Sequence, residues 1–459
     1  MINKRWLKFA VIIMITVTLL PLDVNAATVN VVDVKSPKSV NTLKITKRWF
    51  RPRANKYERQ KVSPVSKNYR AVRVFPGKGI HYNFSRYAFL VDGKPVNKYI
   101  KKYNKIKYIG RYGEPQAVAI VGHYMYVQMS FRHHGNKRKG RIVKYNLATM
   151  DKLINRDGKH DKIVRALQKA RKYIYPMSSK SKEKAKRGKL KRSAKKHLSK
   201  FNYKVYTAVT FGPKFYTGHG QSFSYNPHDK HLYNVAYSLT RDTGKRAHPF
   251  KFQKISLKKL KPVKTWKLNV RLRKTKKILW FFPITWTTAY LQIHDLTFDS
   301  KGNFYFTRAY SDRKLKKNAK KARLREYAKG YRPGSKYSKT RNSRGRGLVI
   351  YRGKFKRNRK TKKTSISITM VEHVSNAIGY QNQGLAYSGS VKRLFLVYDN
   401  AFMSIPISKL NHKMSAKSLN FTVLKNHRES EGMGIRSNGK GYLVLNRYAE
   451  ATISKVKVK

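Results

Sequence analysis

The chain has no cysteine, so neither disulfides nor thiolate metal sites can staple it. Acidic side chains are scarce. Twenty Asp and Glu stand against 106 Lys and Arg, a formal charge of +86. That scarcity works against chemistry that needs several carboxylates, such as hard-cation sites or paired-carboxylate glycoside hydrolysis. Long apolar runs are missing as well. The longest, residues 9–20, falls short of the roughly 20 residues that span a bilayer. The sequence also lacks a Gly-x-Ser-x-Gly elbow, a phosphate-binding P-loop and a dinucleotide fingerprint.

What is present begins with an address. Lys4, Arg5 and Lys8 precede the apolar run, Pro21 breaks it, and Val24 and Ala26 place small residues where signal peptidase cuts. Residues 1–26 are expected to be a cleaved signal peptide, after which no transmembrane segment remains. Residues 27–103 read as a basic N-terminal extension, with short strand-like runs at 29–34, 71–75 and 87–91.

The organising stretch is His294-Asp295-Leu296-Thr297-Phe298-Asp299, a turn through Gly302-Asn303, then Phe304-Tyr305-Phe306. Its opening, polar-small-apolar-small, recurs at Gln116 to Ala119, Gln221 to Ser224, Gln383 to Ala386 and Glu431 to Gly434. Each opening is followed by a turn and a β-rich run, with further strand-like runs before and after, including 203–211 before the second copy. Five degenerate copies, four strands each, predict an all-β, five-bladed β-propeller over residues 104–459. A six-bladed ring that recruits residues 71–91 is the alternative. The last copy is one strand short, and residues 105–109 are expected to close it, leaving no exposed sheet edge.

In such a ring the opening residues Gln116, Gln221, His294, Gln383 and Glu431 converge on the central channel. They are the candidate ligand-binding residues. The competing reading is that they hydrogen-bond between neighbouring blades. Glu431 is the ring's lone carboxylate and His294 its lone imidazole, and Asp295 alternates to the other strand face. No catalytic residue, metal ligand set or cofactor is therefore assigned. The pair His133-His134 lacks partners at ligand spacing.

Two basic, partly helical insertions interrupt the copies, at 161–200 and 313–346. The first carries 16 Lys and Arg against Asp161 and Glu183. Its residues 163–170 have helical periodicity. Lys184, Lys186, Arg187, Lys189, Lys191, Arg192, Lys195 and Lys196, with Arg341, Arg344 and Arg346 of the second insertion, are the candidate polyanion-binding residues. A secreted, cysteine-free chain of this charge suits a Gram-positive exterior. The expected partners are anionic cell-wall polymers, such as teichoic acid, or a surface-layer protein. Nucleic acid is expected to bind only non-specifically.

His294 to Asp299 with Gly302 to Phe306, and Glu431 to Gly434 with Gly441-Tyr442-Leu443-Val444, resemble the inner hairpins of helveticin J-type proteins of lactobacilli. The likeness runs over about residues 220–458. It implies a secreted bacteriocin acting on related bacteria, or a surface-layer-associated relative, and supplies no catalytic residues. The basic extension, the two insertions and the charge depart from that family and favour wall association over killing. A propeller-type carbohydrate-active enzyme is the third expectation.

Overall fold

The computed structural model describes residues 29–35, 40–43, 68–73, 83–89, 113–131, 139–157, 160–236, 250–278, 282–311, 346–357, 360, 364–374, 382–398, 401–412, 414, 418–424, 430–445 and 450–459. The described chain is predominantly β. The signal segment lies outside it, as do His133-His134, the run at 105–109, and nearly all of the second basic insertion.

Four strands come from the expected extension: β1 (Val29–Lys35), β2 (Thr42–Leu43), β3 (Asn68–Arg73) and β4 (Asn83–Phe89). The remaining strands fall into five units. The first is β5 (Glu114–Val121), β6 (Tyr124–Ser130), β7 (Lys139–Asn146) and β8 (Val209–Phe211), with β9 (Phe215–Tyr216) on the other end of β7. The second is β10 (Phe223–Asn226), β11 (His231–Ala236), β12 (Phe250–Ile255) and β13 (Pro262–Ile278), whose far end pairs with β14 (Phe282–Leu291). The third is β15 (Thr297–Phe298), β16 (Phe304–Ser311), β17 (Arg346–Arg357) and β18 (Thr364–Val374). The fourth is β19 (Asn382–Ser388), β20 (Arg393–Tyr398), β21 (Ala401–Pro406) and β22 (Asn420–Leu424). The fifth is β23 (Ser430–Ile435), β24 (Lys440–Leu445), β25 (Glu450–Lys457) and β4.

The strand that completes the last unit is thus β4, paired from Phe89 opposite Glu450 to Phe84 opposite Ser454. The expected closing strand was residues 105–109. The expected boundary at residue 104 is likewise not where the sheets begin. β3 pairs with both β22 and β4, joining units four and five into one nine-stranded sheet. The end strands of that sheet, β19 and β23, pack on each other and nearly close it. β1 runs parallel between β13 and β18, tying unit two to unit three. The physical reason is that an outermost strand leaves a row of unpaired backbone groups, and the early strands satisfy such edges in units two to five.

First strands contact in a cycle: β5 with β10, β10 with β15, β15 with β19, β19 with β23, and β23 with β5. The small second residue of each opening is what allows this. A Cβ on Gly384 would lie 3.1 Å from Glu431 O and Gly432 Cα, and one on Gly432 would lie 3.2 Å from Ala117 Cα. Ser222 Oγ donates to Ile293 O at 2.6 Å, and Asn382 Nδ2 donates to Asp295 Oδ2 at 2.6 Å. The expected turn after β15 forms around Asp299, whose carboxylate accepts the N–H groups of Lys301 and Asn303 at 3.0 and 2.9 Å. Gly302 takes the left-handed φ of +77° that closes it.

Cores lie between neighbouring units. Units two and three share an aromatic core of Tyr233, Phe252, Trp266, Phe298, Phe304 and Phe355. Each fully buried aromatic there contributes roughly 1.5–3 kcal/mol. The first insertion is wider than expected and its described residues are mostly helical: α1 (Leu147–Asp157), α2 (His160–Ala170), α3 (Ser181–His197) and α4 (Lys200–Thr207). Of the strand expected at 203–211, residues 203–207 belong to α4 and residues 209–211 form β8. Ser199 caps α4 by accepting the Asn202 N–H at 3.3 Å, and Val205 is buried at helical register. Met150, Leu153, Ile163, Ala166, Leu167 and Val205 join the core of unit one together with Tyr87, Tyr145 and Tyr442.

Candidate functional site

Three of the five ring residues sit on β-bulges. In β5 the pairing passes from Pro115 to Ala117, in β19 from Asn382 to Gly384, and in β23 from Ser430 to Gly432. Gln116, Gln383 and Glu431 are the skipped residues. A bulge frees a side chain from strict alternation and re-aims it. Gln221 and His294 lie just ahead of β10 and β15.

The structure brings part of the ring into direct contact. Gln221 Nε2 donates to Gln383 Oε1 and, at 3.3 Å, to Glu431 Oε2. All three are buried. Gln116 is buried beside Gly220, where a Cβ would meet Gln116 Cβ at 3.2 Å. Its Nε2 reaches Pro115 O at 3.3 Å, and its Oε1 has no hydrogen-bond partner among the described residues. His294 is paired with Arg308 through Nε2. Burial, with Arg308 and His219 nearby, holds its imidazole well below the usual range, so at neutral pH it is uncharged and accepts from the guanidinium.

Behind His294 stands a group that the opening pattern does not announce. Asp295 is buried, and its carboxylate accepts the Thr307 N–H at 2.6 Å, the Thr307 hydroxyl at 2.5 Å and Asn382 Nδ2 at 2.6 Å. Burial pushes its pKa up to about 6 against the pull of those donors. Further out, Gln128 Nε2 donates to Asn234 Oδ1 at 2.8 Å, and Asn234 Nδ2 donates to Gln253 Oε1 at 2.7 Å. This arrangement mostly spends polar groups on neighbouring units. Among the described residues no group of three His, Asp or Glu could hold a metal ion.

The basic residues form a separate surface. Lys184, Lys186, Arg187, Lys189, Lys191, Arg192, Lys195 and Lys196 all lie on α3 and are exposed. Glu183 is the helix's single acid, at its first turn, and three bases, Lys195, Lys196 and His197, close its last turn, matching the helix dipole. α3 buries only Ala194, and α4 only Val205 with Phe201 and Tyr206 half-buried beside it, whereas α1 and α2 bury apolar faces that include Leu147, Met150, Ile163 and Leu167. Arg341 and Arg344 lie outside the described residues, and Arg346 opens β17 opposite Ser311. The helical block is moored to unit five by Asp151, which accepts from Tyr87 Oη at 3.0 Å and Arg436 at 2.7 Å. Tyr87 comes from the region read as extension, and no local pattern links it to Asp151. No helix among the described residues is long and apolar enough to cross a membrane.

No protein-family model and no curated protein matches the chain. Among solved structures it is similar to a functionally unknown protein from Desulfotomaculum acetoxidans DSM 771, with a TM-score of 0.30 and 10% identity over 84% of this chain and 92% of that one. It is similar at the same TM-score to two glucose dehydrogenases. One is 11% identical over 76% of this chain and 97% of that one, the other 10% over 87% and 99%. Likenesses this distant assign no activity.

Proposed function

We propose that the chain is a five-bladed β-propeller that serves as a secreted, polybasic adhesion protein, held on anionic cell-wall polymer by the helical insertion of its first unit. The blade number rests on five four-stranded units and on the cycle of first-strand contacts that returns to its start. β4 supplies the fourth strand of unit five and β3 bridges units four and five, so both are already used within those two units. The observation that carries the binding role is α3, a 17-residue helix that buries only Ala194 and leaves all of its Lys and Arg side chains exposed. Its charges repel one another, and a polyanion relieves that repulsion. The polar ring on the axis is read as the lock between units.

The test is binding of purified protein to isolated walls across a salt series, before and after teichoic acid is extracted. Exposed charges are screened beyond roughly 3 Å at 1 M salt, so molar salt is expected to strip the protein. Walls lacking the polymer are expected to bind little. Equal binding to extracted walls would refute the reading. A clearing zone on lactobacilli would move it to the killing activity that the helveticin resemblance implies. Release of glycan fragments that Glu431→Gln abolishes would move it to a carbohydrate-active enzyme.

A further inference from the structure

The helical insertion is more than a charged surface. It holds two clefts, of about 380 and about 540 Å³, and α4 is the wall between them. The first cleft is edged by Lys184, Arg187 and Lys191 of α3, over a floor that includes Tyr175 and Tyr206. The second is edged by Lys162, Arg165 and Lys169 of α2, with Lys200 and Lys204 of α4 across from them. Both triads have the same i, i+3, i+7 spacing, which lines three cations along one helix face. Among the described residues, no carboxylate lines either cleft.

Gly188 lines the first cleft from the middle of α3. A glycine there costs the helix about 1 kcal/mol relative to alanine. Packing does not demand it, because a Cβ would meet nothing nearer than Arg192 Nη1 at 3.8 Å. What the missing side chain provides is room in the cleft. Neutral hydrogen-bonding groups complete each lining: Thr207 and Thr210 in the first, Asn202 in the second.

We propose that α2, α3 and α4 form a two-cleft grip for a linear polyol-phosphate polymer, with phosphates of one chain seated in both clefts and intervening hydroxylated units on the threonine and asparagine groups. Clustered Arg and Lys suit phosphate. The hydroxyl and amide groups suit a polyol more than a flat base. The proposal deepens the adhesion reading and rests on it.

The experiment measures the affinity of the full secreted chain for a synthetic poly(glycerol phosphate) oligomer, and for single-stranded DNA with the same number of phosphates. Three variants are compared with the parent. One replaces Lys184, Arg187 and Lys191 by Ala, and one replaces Lys162, Arg165 and Lys169 by Ala. The control replaces the exposed Lys301, Lys354 and Lys356 of the third unit by Ala. Each removes three charges, so any purely diffuse attraction drops alike. Either cleft variant is expected to weaken oligomer binding at least tenfold more than the control. Gly188→Leu, which fills the first cleft without changing charge, is expected to weaken it at least threefold. Thermal melts show whether each variant is folded, and the charge-neutral variant stands even if a triple variant is not. If control and cleft variants weaken alike and Gly188→Leu changes nothing, the grip is refuted, while salt-sensitive wall binding by the parent leaves the adhesion reading intact. If DNA binds as tightly and is lost with the same variants, the clefts take phosphate chains generally and the polyol assignment is overturned.

Discussion

Asp295 offers the sharpest test of the buried polar ring. Its carboxylate is nearly sealed from solvent, with 1% of its surface exposed, and accepts three hydrogen bonds from Thr307 and Asn382. Burial disfavours the charged form and the donors favour it, and burial wins, so its pKa rises from 3.8 to about 6. The native state therefore holds this proton over a pH window in which the unfolded chain has released it. A raised acid contributes stability that is fully present below pH 3.8 and is lost as pH rises to about 6. The difference is worth about 3 kcal/mol at about 1.4 kcal/mol per pH unit. The perturbation is Asp295→Asn, which keeps the shape and removes the titration. Denaturant unfolding of parent and variant from pH 3.5 to 8 cancels other groups that titrate in common, including Glu372, which burial raises to about 7. The parent's stability relative to the variant is expected to fall by about 3 kcal/mol in all, about 2 kcal/mol of it between pH 4 and 6, and to be flat above about pH 7. A difference that is flat throughout, or that rises with pH, would show the three donors hold the carboxylate ionised, and the reasoning would fail.

Other parts of the structure carry their own expectations. Asp151→Ala removes the carboxylate that accepts from the buried Tyr87 hydroxyl and from Arg436. It should lower stability by about 1–3 kcal/mol in denaturant titrations, whereas an Asp151 that only decorates the surface would leave the midpoint unmoved. Gly384→Leu puts a side chain where even a Cβ is 3.1 Å from Gly432 Cα. Overpacking of at least about 1–3 kcal/mol is expected, read as a lower melting temperature, and an unchanged melt would argue against close packing of β19 on β23. Gly188→Ala should stabilise by up to about 1 kcal/mol, since the space around it is open; a loss of stability would mean the α3 backbone is held differently from this arrangement.

Much of the architecture is legible in the order of residues because its signals are local. A strand that buries one face and a turn such as Asp299 to Asn303 are set by neighbours a few positions away, so the hairpin at β15 and β16 and the four other openings can be read directly. The charge is read the same way, and with it the basic face of α3. The small residue after each polar opening is visible too, but its reason is not. Gly384 and Gly432 are small because another unit's backbone passes 3.1–3.2 Å from where their Cβ would be. The bulges at Gln116, Gln383 and Glu431 are equally silent, since a one-residue skip depends on the partner strand's pairing.

Closure was decided by tertiary structure alone. Residues 105–109 and β4 carry similar apolar strand patterns, and only the free edge of β25 selects Asn83–Phe89. The run from Tyr203 alternates as a strand would, yet the Ser199 cap and a core waiting for Val205 make it α4. Residues 162, 165 and 169 face residues 200 and 204 across a cleft that no linear reading could bring together. Composition and local pattern therefore determined that this protein is polybasic and built of repeated β-hairpins. Which charges share a cleft, and which carboxylate is sealed behind the ring, depended on contacts between residues far apart in the chain, and those are set by the packing of whole units rather than by local propensity.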